Sequence, residues 1–125
     1  SKRQRRLARL REHAALSGLF VEFRPLPEAI AAVPPAAAGN SIYYGLRLPP
    51  PRRGEPRGGV WANAGGCWRA AGSGRDVPGA LAEMPPTVLA AGVDSGSCGV
   101  YWQEDGDEED IDRIARILKE WRGAS

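Results

Sequence analysis

The stretch CGVYWQEDGDEEDIDRIARILKEW (98–121) decides the fold. Its first six residues, Cys98 to Gln103, pair small and aromatic β-formers and read as a strand. An acidic run follows, and then apolar residues recur at Ile111, Ile114, Leu118 and Trp121, with Ala115 and Ile117 beside them. That spacing places one apolar stripe on a helix over 107–121. Asp112, Arg113, Arg116, Lys119, Glu120 and Arg122 fill the polar side. A strand running directly into an amphipathic helix means that a sheet exists and that this helix covers part of it.

Working outward, QRRLARLREHAALS (4–17) predicts a second helix, with Leu7, Leu10, Ala14 and Ser17 in step, Ala8, Ala15 and Leu16 widening the apolar side, and Gly18 as the stop. LFVEFR (19–24) alternates like a strand and ends at Pro25. PEAIAAV (27–33) suits a short helix ended by Pro34-Pro35, and SIYYGLRL (41–48) is a strand rich in β-formers. PPPRRGEPRGG (49–59) is a basic loop. VWANAGGCWRA (60–70) reads as a hairpin around Asn63-Ala64-Gly65-Gly66. PGALAEM (78–84) and PTVLAAG (86–92) suggest helical turns separated by Pro85-Pro86. The expected architecture is a single α+β domain spanning 1–125, with residues 1–6 a basic lead and 7–122 the body. It has a four- or five-stranded, mostly antiparallel sheet with the N-terminal and C-terminal helices packed on it.

The net charge is only +2, from 17 basic and 15 acidic residues, which argues against a dedicated nucleic-acid binder. The charges are segregated all the same. Lys2, Arg3, Arg5, Arg6, Arg9 and Arg11 form a collar at one end, while Glu104, Asp105, Asp107, Glu108, Glu109, Asp110 and Asp112 crowd the other. Arg greatly outnumbers Lys and Ala is abundant, which points to a GC-rich bacterial genome.

Catalytic and metal readings find little support. A calcium-loop frame starting at Asp105 has Asp110 where glycine is needed and Arg116 where the bidentate Glu is needed. The acidic run fits helix capping instead, with carboxylates at the positive end of the helix dipole. His13 is the only histidine, and Cys67 and Cys98 have no close-spaced ligand partner, so no metal cluster or Cys–His nucleophile is indicated. The glycines of AGGC (64–67) and AGSGRD (71–76) match no phosphate-loop order. Both cysteines fall in predicted strands and are expected to be buried free thiols. No cofactor is called for.

Four readings of the collar remain: a grip on nucleic acid, contact with anionic headgroups, the basic flank of a transmembrane segment lying upstream, or simply a solvated helix end. The start at Ser1 rather than Met leaves room for such a segment, and no transmembrane run or signal peptide lies within the 125 residues. Arg52, Arg53, Arg57, Trp61 and Trp68 form the other candidate interaction surface. For the two tryptophans, cross-strand packing within the hairpin is favoured over ligand contact.

SKRQRRLARLREHAALSGLFVEF (1–23) resembles the segment just after the single N-terminal transmembrane helix of small bacterial inner-membrane proteins, some labelled as relatives of the preprotein translocase accessory subunit YajC. The resemblance covers about the first twenty residues and lies in composition and spacing. It implies a location, the cytoplasmic face of the inner membrane. The YajC soluble region has a GD-x-V-x-T-x-GG-like passage, whereas GGVWANAGGCWRA (58–70) has its glycines in another order, so no functional residue carries over. The expectation is a non-enzymatic domain that contacts the membrane surface and an unidentified protein. A soluble nucleic-acid binder and an enzyme with an unrecognised site are the rivals.

Overall fold

A computed structural model describes residues 1–31, 41–72 and 75–124. The chain is an α+β fold in the order α1 (Lys2–Leu16), β1 (Phe20–Phe23), α2 (Glu28–Ala31), β2 (Ile42–Arg47), β3 (Gly59–Ala64), β4 (Cys67–Ala71), a 3₁₀ turn (Gly79–Glu83), β5 (Ala90–Val93), β6 (Ser97–Trp102) and α3 (Glu108–Ala124). The six strands form one antiparallel sheet ordered β1-β2-β6-β5-β3-β4. The β5–β6 hairpin is inserted between β2 and β3, so the 48–58 loop crosses its end to link them.

The sixth strand corrects the expected count of four or five. The helical turn expected over 86–92 is replaced by β5, whose Ala90-Ala91-Gly92-Val93 pairs on both sides. Ala and Gly carry almost no β preference of their own. Pairing with β6 and β3 decides their conformation, because a buried backbone must satisfy its N–H and C=O groups. The other turn, at 78–84, is present as the 3₁₀ turn. The short helix expected over 27–33 is present as α2, while Val33, the Pro34-Pro35 stop and part of the GSGRD loop lie outside the described residues.

One sheet face is covered by α1 and α3. Tyr44, Leu46, Trp61, Ala91, Val100 and Trp102 meet Leu10 and Ala14 of α1 and Ile111, Ile114, Ile117 and Leu118 of α3 in the main core. The apolar stripe read along α3 is buried from Ile111 to Leu118, and Trp121 at its end is partly buried against the same core. On α1 the buried stripe is narrower than expected, because Leu10 and Ala14 are buried but Leu16 is 80% exposed.

The opposite face holds a smaller cluster of Ile30, Tyr43, Ala62, Ala90 and Tyr101. Gly45 faces Gly99, and Gly99 faces Gly92, across β2, β6 and β5. The Tyr43 ring lies flat in this groove, close enough that a Cβ on Gly45 would sit 2.5 Å from its Cε2. Its hydroxyl shares a 2.7 Å hydrogen bond with that of Ser97. Glycine here gives room for a ring rather than for a turn. Gly65 and Gly66 do make a turn: both have positive φ, and they close β3 onto β4 as a two-residue hairpin.

Candidate functional site

The basic collar is part of a helix from Lys2 onward, and the fold divides it into two sets. Arg6 and Arg11 turn toward the body. Arg11 makes a bidentate pair with the Glu104 carboxylate, Nε to Oε2 at 2.9 Å and Nη2 to Oε1 at 2.7 Å. Arg6 donates to the Glu104 carbonyl at 2.6 Å and the Gly106 carbonyl at 3.2 Å. Tyr44 completes the clasp from β2 by donating its hydroxyl proton to Glu104 Oε2 at 2.7 Å. The Glu104 side chain is 3% exposed, and its backbone is left-handed with φ 56°. That turn swings the first acid of the run inward while the following residues enter α3.

The clasp marks its members electrostatically. The hydrogen bond to Glu104 holds the Arg11 guanidinium above its ordinary range against a smaller opposing effect of burial. Tyr44 is raised by burial first and then by its bond to Glu104, so it stays a donor. His13 adds a further tie between the helices, at 2.7 Å from Asp112 and 3.7 Å from Glu108. The remaining acids behave as the capping reading expects. Asp107 Oδ1 accepts from the Asp110 N–H, and Asp110 Oδ2 accepts from the Asp107 N–H. Among the described residues, no group of three His, Cys, Asp or Glu side chains is arranged to hold a metal ion.

Lys2, Arg3, Arg5 and Arg9 form the second set. All four are exposed, and none makes an ion pair among the described residues. Lys2, Arg3 and Arg5 occupy the first turn of α1, which contains no acid. Cations there face the positive end of the helix dipole, so this placement does not serve helix stability. The clasp holds the helix against the body while these four side chains stay exposed, Arg9 lining a groove with Asp107, Glu108 and Glu109.

The second candidate surface does not survive as one patch. Arg52 and Arg53 are exposed on the loop. Arg57 is 12% exposed, donating to the Pro49 carbonyl at 2.7 Å and the Ser95 carbonyl at 2.8 Å and pairing with Glu55 at 2.7 Å. Trp61 is 1% exposed and cannot belong to any surface. Its ring partner is Trp121 rather than Trp68, edge-on at 5.5 Å between centroids. Trp68 lies opposite Asn63 and is partly buried against the main core. The cysteines are both free, yet only Cys98 is buried, since Cys67 follows the hairpin turn at the sheet edge and is exposed. Glu104 was hidden in the sequence because it is one of seven acids within nine residues and its turn has no local signature. The sole hint was the opposite charge of the collar.

Comparison with protein-family models, curated proteins and solved structures finds no match. Among the described residues no helix is long and apolar enough to cross a membrane.

Proposed function

We propose that this domain is a non-enzymatic interaction module of a membrane-anchored bacterial protein, resting against the anionic cytoplasmic surface of the inner membrane and offering its body to a partner protein. The observation that supports this most is the outward set Lys2, Arg3, Arg5 and Arg9 on a helix whose other arginines are committed to Glu104. Cations without an ion-pair partner among the described residues meet an anionic headgroup layer without first giving one up. The interaction reading also draws on the sequence, which assembles no catalytic constellation. Of the two tryptophans on the candidate surface, a nucleic-acid role would have Trp68 but not the buried Trp61 to stack a base on.

Sedimentation with vesicles tests the reading. The chain should pellet with phosphatidylglycerol-containing vesicles and much less with phosphatidylcholine alone, and the difference should shrink as salt rises. Equal binding to both compositions at low salt overturns it. Tighter binding to duplex DNA than to the anionic vesicles replaces it with the nucleic-acid reading.

A further inference from the structure

The sheet ends at β1 on one side and at β4 on the other, and neither has an outer neighbour among the described residues. The register fixes which backbone groups β1 leaves unpaired. The Leu48 N–H donates to the Gly96 carbonyl at 2.9 Å, continuing the β2–β6 ladder. Hydrogen bonding alternates from there, so Ile42, Tyr44 and Leu46 face β6 while Tyr43 and Gly45 face β1. Their partners Glu22 and Phe20 therefore bond to β2, and the N–H and C=O groups of Val21 and Phe23 point outward along the open edge. Phe23 is 76% exposed, the one exposed aromatic ring among the described residues. An unpaired strand edge beside such a ring is a template for a further strand.

The charges of this edge are their own complement. Glu22 and Arg24 lie two residues apart beside Tyr43, on the face opposite the helices, and pair at 2.7 Å. An antiparallel second copy of the strand, with Phe23 facing Phe23, sets Glu22 of each strand opposite Arg24 of the other, four charges of alternating sign on one face. The neighbouring register, centred on Glu22, sets two carboxylates against each other instead. β4 has no such complement, since Arg69 is its sole charge. The Arg11 guanidinium lies 5.4 Å from the Phe23 ring centre, so this side of α1 stands beside the edge. Gln4, Leu7, Ala8 and Ala15 share that side by helical spacing, and Arg11 there is paired with Glu104. Lys2, Arg5 and Arg9 follow a separate stripe at i, i+3 and i+7.

We propose that β1 is a self-association edge: two copies of the chain join β1 to β1 antiparallel about a two-fold axis at Phe23, making one continuous sheet of both. The Phe23 N–H of each copy donates to the Phe23 carbonyl of the other, and the Val21 N–H donates to the opposite Pro25 carbonyl. Pro25 has no N–H to return, so the paired stretch ends there and the join is short. A short join makes a weak dimer that forms and dissociates with concentration. No residue of the edge belongs to the set Lys2, Arg3, Arg5 and Arg9, so self-association and membrane binding stand or fall independently.

Analytical ultracentrifugation of the full chain from about 1 µM to about 1 mM tests the proposal, with a thiol reductant present to keep the exposed Cys67 from cross-linking. A reversible monomer–dimer equilibrium is expected. Phe23→Pro removes the outward N–H and the ring without removing a β1–β2 hydrogen bond. Glu22→Arg and Arg24→Glu each set like charges across the join. Each of the three should weaken dimerisation roughly tenfold or more. Mixing the Glu22→Arg chain with the Arg24→Glu chain should restore association as a heterodimer, because one strand is then doubly basic and the other doubly acidic. Arg69→Glu on the far edge should leave dimerisation unchanged. Circular dichroism identifies any variant that has unfolded, and the two charge reversals keep the test open if Phe23→Pro does not fold. A wild-type chain that stays monomeric throughout the range overturns the proposal. So does a dimer that any folded one of the three variants leaves at wild-type strength, or a charge-reversed pair that stays apart on mixing.

Discussion

Replacing Glu104 by Gln keeps the shape of the side chain and removes its charge, which isolates the clasp that fixes α1. The wild-type carboxylate accepts two bonds from Arg11 and one from Tyr44. Hydrogen bonds to charged groups contribute about 1.5–3 kcal/mol each, and removing one member of a buried ion pair costs about 3–5 kcal/mol. Arg11 is 34% exposed, so water compensates part of its loss, and a Gln oxygen still accepts one bond. The expected destabilisation is therefore about 2–4 kcal/mol, a large share of the roughly 5–15 kcal/mol of a typical domain. Urea unfolding followed by tryptophan fluorescence reads it, since Trp102 packs edge-on against Tyr44 at 5.2 Å. A cycle with Arg11→Gln should show a coupling of about 1.5 kcal/mol or more. Glu104→Gly should be about 1 kcal/mol less damaging than Glu104→Ala, because glycine relieves the left-handed backbone. A loss below about 0.5 kcal/mol for Glu104→Gln, the range of an ordinary surface change, refutes the clasp.

Three further outcomes follow from the sheet. Gly99→Ala should cost about 1–3 kcal/mol by driving a methyl into the Tyr43 ring, whereas Gly92→Ala in the same row meets nothing closer than 3.5 Å and should change stability little; equal effects in urea unfolding would contradict this. Tyr43, Tyr44 and Tyr101, all three tyrosines of the chain, are raised chiefly by burial. The native state thus keeps phenolic protons that the unfolded state releases, so the unfolded state binds fewer protons and stability falls as pH rises above about 10. Tyrosinate absorbance should appear together with unfolding, and a native titration with an ordinary midpoint would count against it. Under native conditions an aromatic disulfide reagent should titrate Cys67 alone, with Cys98 reacting only in denaturant; equal rates would show that the β6 face opens.

The two long helices, five of the six strands and the Gly65-Gly66 hairpin were legible because each carries its own periodicity or turn chemistry. β5 was not, since Ala90-Ala91-Gly92 has no local preference and is a strand only because β3 and β6 flank it. The collar was visible as a charge run, but its division was not. Arg6 and Arg11 differ from Arg5 and Arg9 only in facing Glu104, a contact across more than ninety residues. Trp61 looked like half of a hairpin pair, and its actual partner, Trp121, comes from the far end of the chain.

Membrane affinity of a variant carrying Lys2→Gln, Arg3→Gln, Arg5→Gln and Arg9→Gln tests the central claim most directly. A basic residue near an anionic surface contributes about 1 kcal/mol, so four together amount to about 4 kcal/mol, or roughly a thousandfold in affinity. On vesicles containing phosphatidylglycerol the variant should lose essentially all binding while unfolding in urea like the wild type. Retention of wild-type affinity by a folded variant would contradict the account.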